Sequence, residues 1–222
     1  MTIMIERPQM PYPEGPDSYQ SVAGVSHAEI KEQRSLFVAE ATAAAALEAA
    51  KTFVAEVSRR YHDCRHVAYA WRGGVGAQIQ ESRSDGGEPS GTAGEPILAA
   101  IRRATLSDTV VAVARYFGGI KLGTGGLARA YGAAADAALA AAERRTINLG
   151  SEGAVTFAYP HQKTLAHLLT RHGGRLIAEQ YAQDIIWRIW LPQSAWNNFM
   201  RAVAAATAGQ AHIKAPAPRD RS

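Results

Sequence analysis

Arg115-Tyr116-Phe117-Gly118-Gly119-Ile120-Lys121-Leu122-Gly123-Thr124-Gly125-Gly126-Leu127 is the stretch from which the rest of the chain can be read. Ahead of it, residues 109–114 form a β-branched apolar run that predicts a buried strand. Behind it, the alanine-rich segment 127–144 predicts a helix, with Gly132 as its weak point. Successive glycines let backbone N–H groups converge, and a helix N-terminus adds partial positive charge. A strand, a glycine loop and a helix in that order can therefore cradle a phosphate or carboxylate. A second loop of the same kind precedes it. Asp85-Gly86-Gly87-Glu88-Pro89-Ser90-Gly91-Thr92-Ala93-Gly94-Glu95-Pro96 feeds a helix predicted from Pro96 to Ala104, where proline suits a first turn because its missing N–H is not needed there. Ser90, Thr92 and Thr124 add hydroxyl donors. The plainer reading of either loop is that its glycines permit tight turns and close packing.

Upstream, 19–25 and 36–41 read as strands and 43–61 as an amphipathic helix, a β-β-α start. Residues 67–71 and 77–79 flank Gly73-Gly74 as a predicted hairpin. Downstream the pattern changes to strand 154–159, helix 162–172, strands 175–181 and 185–191, helix 195–207 and strand 211–213. That β-α-β-β-α-β order predicts a ferredoxin-like sandwich. The expected class is mixed α/β, of the α+β kind, in two domains. The expected division is an arm over 1–17, a first domain over 18–149, a ferredoxin-like second domain over 150–214 and a basic tail over 215–222, with a linker near 146–152.

Of the 222 residues, 47% are hydrophobic and 20% charged, enough to form a core without covalent staples. Cys64 is the single cysteine, so no intramolecular disulfide can form and a cytoplasmic location is expected. Pro8, Pro11, Pro13 and Pro16 break the opening segment, which lacks the apolar run of a signal peptide, and no stretch has the length of a membrane span. A soluble protein without membrane contact is expected. The net charge of +4 permits a polyanionic partner without requiring one. Between Ile101 and Tyr131, Arg102, Arg103, Arg115, Lys121 and Arg129 stand against Asp108 alone, interleaved with Tyr116, Phe117 and Tyr131. Cations for phosphates and aromatics for unpaired bases make a nucleic-acid footprint, unless the aromatics are core and the cations only solvate a face.

Other chemistries fit less well. Gly123-Thr124-Gly125-Gly126-Leu127-Ala128 matches G-x-G-x-x-A, but six residues separate it from the strand it should follow directly, and Glu143 lies at a helix end, so no dinucleotide cofactor is expected. No P-loop and no G-x-S-x-G elbow occurs. His62, Asp63, Cys64 and His66 have metal-ligand chemistry but come from one segment, where zinc sites draw pairs from two. Asp85 and Glu88 are acid–base candidates, although carboxylates in glycine loops more often cap backbone N–H groups. Neither catalytic residues, metal nor cofactor are assigned.

Through Gly87 to Gly94 and Arg115 to Leu127, the chain resembles the YigZ/IMPACT family, with the likeness extending over about 19–148 and the second domain similar to that of bacterial members. The resemblance implies a first domain like domain IV of the translocating elongation factor G, and a ferredoxin-like domain similar to that factor's last. It implies a context in translation. Eukaryotic relatives regulate translation under amino-acid stress by competing for the activator of an initiation-factor kinase, but with a different accessory domain. Ser84-Asp85-Gly86-Gly87-Glu88-Pro89 departs from the family's Ser-Asp-Asp-Gly-Glu-Pro by one carboxylate, which weakens a paired-acid mechanism. Leu36 replaces a basic residue before Phe37, and His66-Val67-Ala68 replaces a polar run ending in cysteine.

The expected function is a noncatalytic RNA- or ribosome-associated translation regulator. The binding set is Asp85, Glu88, Pro89, Ser90, Gly91, Thr92, Gly94, Arg115, Tyr116, Phe117, Gly118, Gly119, Lys121, Gly123, Thr124, Gly125, Gly126 and Arg129. Two alternatives stay open: an enzyme or sensor taking a phosphorylated small molecule in the same loops, and a purely protein-binding regulator whose partner is a translation-regulatory protein.

Overall fold

A computed structural model describes residues 16–214; the tail and nearly all of the arm lie outside the described residues. The chain forms two compact units, one spanning Tyr19–Ile147 and the other running from Asn148 on, together with the segment that ends at Ser18.

The strands and helices up to Asn148 are β1 (Ser18–Ala23), β2 (Ser26–Glu32), β3 (Ser35–Ala43), α1 (Leu47–Arg60), β4 (His66–Gly73), β5 (Gln80–Ser84), α2 (Gly94–Arg103), β6 (Thr109–Tyr116), α3 (Gly123–Ala141) and β7 (Glu143–Asn148). Five of the strands make an antiparallel sheet in the order β2-β3-β6-β4-β5, while β1 and β7 pair separately. β6 lies in the centre, and its alternation feeds two cores. Val111 and Val113 pack with Ile97, Ile101, Ala134 and Ala138 of α2 and α3. Val110 and Ala112 pack with Phe53 and Val57 of α1 and with Trp71. Side chains on successive strand residues point to opposite faces, so one β-branched run serves both layers.

Three elements differ from the sequence reading. β2 has no counterpart in the sequence reading because Ser26–Glu32 is an edge strand with only Ala28 and Ile30 packed on the core, and its turn uses Gln33 and Arg34 at positive φ where glycine or asparagine would signal one. The return strand of the Gly73-Gly74 hairpin is Gln80–Ser84, displaced from 77–79 by a short 3₁₀ turn at Gly76–Gln78. Polar edge strands of this kind carry no hydrophobic signal. β7 takes in the last two residues of the expected helix, Glu143 and Arg144, and the start of the expected linker: Ala142 turns extended at ψ 133° and Glu143–Asn148 pairs with β1. At its other end, α3 starts at Gly123, so the glycines read as loop form its first turn.

The second unit contains β8 (Gly150–Phe157), α4 (Gln162–Arg171), β9 (Arg175–Tyr181), β10 (Ile185–Pro192), α5 (Trp196–Ala206) and β11 (His212–Lys214). Its sheet runs β11-β8-β10-β9, all antiparallel. Counted within the unit that order is 4-1-3-2, the ferredoxin-like arrangement, and the fold class is α+β. Val155, Phe157, Ile185, Trp187, Ile189 and Leu191 pack against Leu165, Leu169, Phe199 and Val203 of the two helices. The segment 146–152, read as a linker, is strand on both sides of Leu149, whose N–H donates to the Asp17 carbonyl at 2.7 Å. Asp17, the last residue of the predicted arm, also accepts from the Ser194 N–H at 3.0 Å and the Ser194 hydroxyl at 2.6 Å. No helix among the described residues is long and apolar enough to cross a membrane.

Candidate functional site

The strand register builds the site's floor. His66 of β4 lies opposite Arg115 of β6, which lies opposite Phe37 of β3, so the three form one row on the sheet face toward α2 and α3. Arg115 thus follows Val111 and Val113 on a face that would otherwise be apolar, and its side chain is only 7% exposed. A buried guanidinium needs a counter-charge. Glu88, from the loop between β5 and α2, supplies it: the Arg115 Nη1 donates to Glu88 Oε1 at 2.7 Å, and the Glu88 side chain is 4% exposed. The Tyr131 hydroxyl of α3 donates to the same oxygen at 2.9 Å. Burial, with the Glu88 charge beside it, pushes the Tyr131 phenol far above its usual range. The guanidinium also lies over the Phe37 and Phe117 rings, 5.5 Å from each centroid.

Above this row is a cleft of about 400 Å³, walled by Arg65, His66, Glu88, Pro89, Arg115, Phe117, Lys121, Leu122, Gly123, Thr124 and Leu127. The two glycine loops therefore meet: of the sequence-derived set, Glu88, Pro89, Arg115, Phe117, Lys121, Gly123 and Thr124 line one cavity. Arg65 and His66 were missed as site residues. Their signal was the pre-strand cluster 62–66, read there only for metal ligation. His66 Nδ1 is 2.9 Å from the Gly86 carbonyl, a contact in which Nδ1–H donates. Asp63 accepts from the Tyr116 hydroxyl at 2.7 Å, and burial pushes the Cys64 thiol up, away from thiolate chemistry.

The remaining candidates do not line the cleft. Ser90, Gly91, Thr92 and Gly94 belong to the turn entering α2, where the Thr92 hydroxyl donates to the Pro89 carbonyl at 2.7 Å. Tyr116 points to the opposite sheet face, toward Asp63. Gly118 lies against the backbone of Arg34 and Ser35, and Gly119 faces open space. Gly125, Gly126 and Arg129 follow in the first turns of α3.

Asp85 is a helix cap. Its Oδ1 accepts from the Ala93 and Gly94 N–H groups at 2.9 and 2.8 Å, and its Oδ2 from Gly91 at 2.9 Å, so both oxygens are engaged at the start of α2. Burial works against the charge, but the bonds from Gly91, Gly94 and Ala93 outweigh it and hold the carboxyl below its ordinary value. A depressed carboxyl stabilises the fold above its unfolded pKa of about 3.9, and the contribution disappears as pH falls through the lower folded value. Asp85→Asn puts an amide NH₂ against at least one of these donors. It is expected to cost about 2 kcal/mol at pH 7 and to flatten the loss of stability below pH 4, measured by urea melts across pH. Equal stability of variant and wild type at pH 7 would remove the capping role.

The footprint of five cations is reduced by their partners. Arg102 pairs with Glu81 and, at 3.1 Å, with Glu95; Arg103 pairs with Asp136 at 2.8 Å; Arg115 is buried on Glu88. Among the described residues, Lys121 and Arg129 are the two of the five without an ion pair, and both are exposed. Three carboxylates outside the 101–131 window, Glu81, Glu88 and Glu95, do much of this neutralising, which is why a local charge count overstated the basic surface.

Residues 33–139 match the Impact N-terminal domain, and residues 155–210 match a domain of unknown function, DUF1949. The IMPACT family member YigZ of Escherichia coli K12 is 33% identical over 188 residues, covering 84% of this chain and 91% of the relative. The IMPACT family member YvyE of Bacillus subtilis is 30% identical over 200 residues, covering 89% and 90%. A crystal structure of a hypothetical protein superposes with a TM-score of 0.63 at 30% identity, covering 92% of this chain and all of the other. With both domain models matched in order and relatives aligned over nearly their whole length, the chain belongs to the YigZ/IMPACT family.

Proposed function

We propose that the protein is a noncatalytic RNA-binding protein of the translation apparatus that docks unpaired RNA on the loop between β6 and α3. The observation carrying this reading is Phe117, an aromatic side chain left 45% exposed at the cleft wall and held by the Arg115 guanidinium, with exposed Lys121 beside it. A large apolar ring is left in water just past a strand whose residues from Thr109 to Arg115 are buried. Stacking an unpaired base would cover it, and such a contact contributes about 1–3 kcal/mol without regard to sequence. Arg65, Lys121 and Arg129 supply exposed cations for the backbone phosphates.

Fluorescence anisotropy with labelled single-stranded RNA tests it. Phe117→Ala is expected to weaken binding by about tenfold with the salt dependence unchanged, whereas Lys121→Ala and Arg129→Ala each reduce the slope of log affinity against log salt by about 0.7. The Arg115 substitution is not a contact test, because it removes a buried charge. Binding that is indifferent to all three exposed substitutions would sink the reading and favour a protein partner.

A further inference from the structure

We infer that the cleft is a site for one 5′-phosphorylated nucleotide, its phosphate on the N-terminus of α3 and its base against Phe117. The inference rests on the RNA reading for the origin of the nucleotide, and on two independent features for its chemistry. The first is the N-terminus of α3, a helix of 19 residues with no side-chain cap, whose opening residues Gly123 and Thr124 line the cleft. Its first N–H groups are left for a ligand, and the helix dipole favours an anion there. The second is Arg115. Its guanidinium lines the same cleft at 7% exposure, and although Nη1 is bonded to Glu88, the buried Nε has no partner among the described residues. A buried guanidinium N–H left unmet is costly unless an anion or water completes it.

The cleft's other walls decide what kind of anion fits. Pro89, Phe117, Leu122 and Leu127 are apolar, so inorganic phosphate alone would leave them wet. A planar base attached to the phosphate covers them. A volume of about 400 Å³ lies near the lower end of the range of roughly 300–1,000 Å³ for small-ligand pockets, which accommodates one nucleotide and not a stacked run. Lys121 at the wall adds a cation for the phosphate, and the Glu88 carboxylate at the same wall is paired with Arg115, which reduces its repulsion of an anion.

The full chain is titrated with three probes: adenosine 5′-monophosphate, a 5′-phosphorylated RNA octamer, and the same octamer with a 5′-hydroxyl. The expected result is that the phosphorylated octamer binds at least about tenfold tighter than the hydroxyl form and that the mononucleotide competes with it. Backbone amide signals of Gly123 and Thr124 should shift on adding the mononucleotide, and Phe117→Ala should weaken all phosphorylated probes. Binding of the mononucleotide alone, with neither octamer bound, keeps the site, assigns it to a free nucleotide and defeats the RNA reading. Equal affinity for the two octamers, with no competition by the mononucleotide, overturns the site while leaving RNA binding in place. No binding of any probe overturns both.

Discussion

Glu88→Ala is expected to lower the stability of the unit spanning Tyr19–Ile147 by about 3–5 kcal/mol, because it strands a buried guanidinium without its counter-charge. The same substitution leaves the Tyr131 hydroxyl without its acceptor. In thermal melts this corresponds to a fall on the order of 10 °C or more. The cause can be separated from simple loss of packing by a double-mutant cycle. Arg115→Met removes the orphaned charge while keeping an apolar stem between Phe37 and Phe117, so Glu88→Ala in that background should cost far less than it does alone. If the two losses simply add, the pair is not a coupled unit and the cleft floor is held by packing instead. The result also governs how binding data are read: loss of ligand in Glu88→Ala would report an unravelled floor, since this carboxylate holds Arg115 in position.

The second unit and the central strands were legible because their signals are apolar and periodic. Strand 185–191 alternates buried Ile185, Trp187, Ile189 and Leu191, and 109–114 is buried throughout. The missed strands are the polar ones. Gln80–Ser84 has no aliphatic residue at all, and its place is set by pairing with β4, a long-range fact absent from any local window. The first turn of α3 failed for the opposite reason: glycine propensity argues against helix at 123–126, and tertiary packing of Leu127, Ala130 and Tyr131 overrides it.

The site was legible in its parts but not in its assembly. Both glycine loops were marked, yet the local view could not pair Arg115 with Glu88, 27 residues away, nor Arg102 with Glu81. Each such pairing converts a residue counted as surface charge into structure. What survives as available chemistry is smaller and more definite: Phe117, Lys121, Thr124, the unmet Nε of Arg115 and the opening amides of α3, with His66 added by register and Arg65 beside it. The glycines divide in the same way, between those that shape the loop and those that face solvent.

That division gives the second large effect. Gly86 has φ +61°, and a Cβ there would sit 2.0 Å from the Val67 carbonyl oxygen, a backbone atom of β4 that cannot move without breaking the sheet. Gly86 also presents the carbonyl that fixes His66. Gly119, at φ +87°, is just as left-handed, but a Cβ there meets nothing within 4 Å. Alanine at 119 therefore carries only the conformational penalty, about 1–2 kcal/mol. Alanine at 86 adds a hard overlap to it and is expected to cost at least about 3 kcal/mol more, enough to leave much of a marginally stable domain unfolded. Urea melts of the two variants measure the difference. If Gly119→Ala were the more damaging, the 117–124 loop would be packed against something in solution, and the open surface assigned to RNA would already be occupied. If the two variants differ in the expected order, Gly119→Ala remains folded and can be carried into the anisotropy assay. Retained RNA affinity there would show that the loop needs its exposed ring and lysine, not the freedom of its glycine.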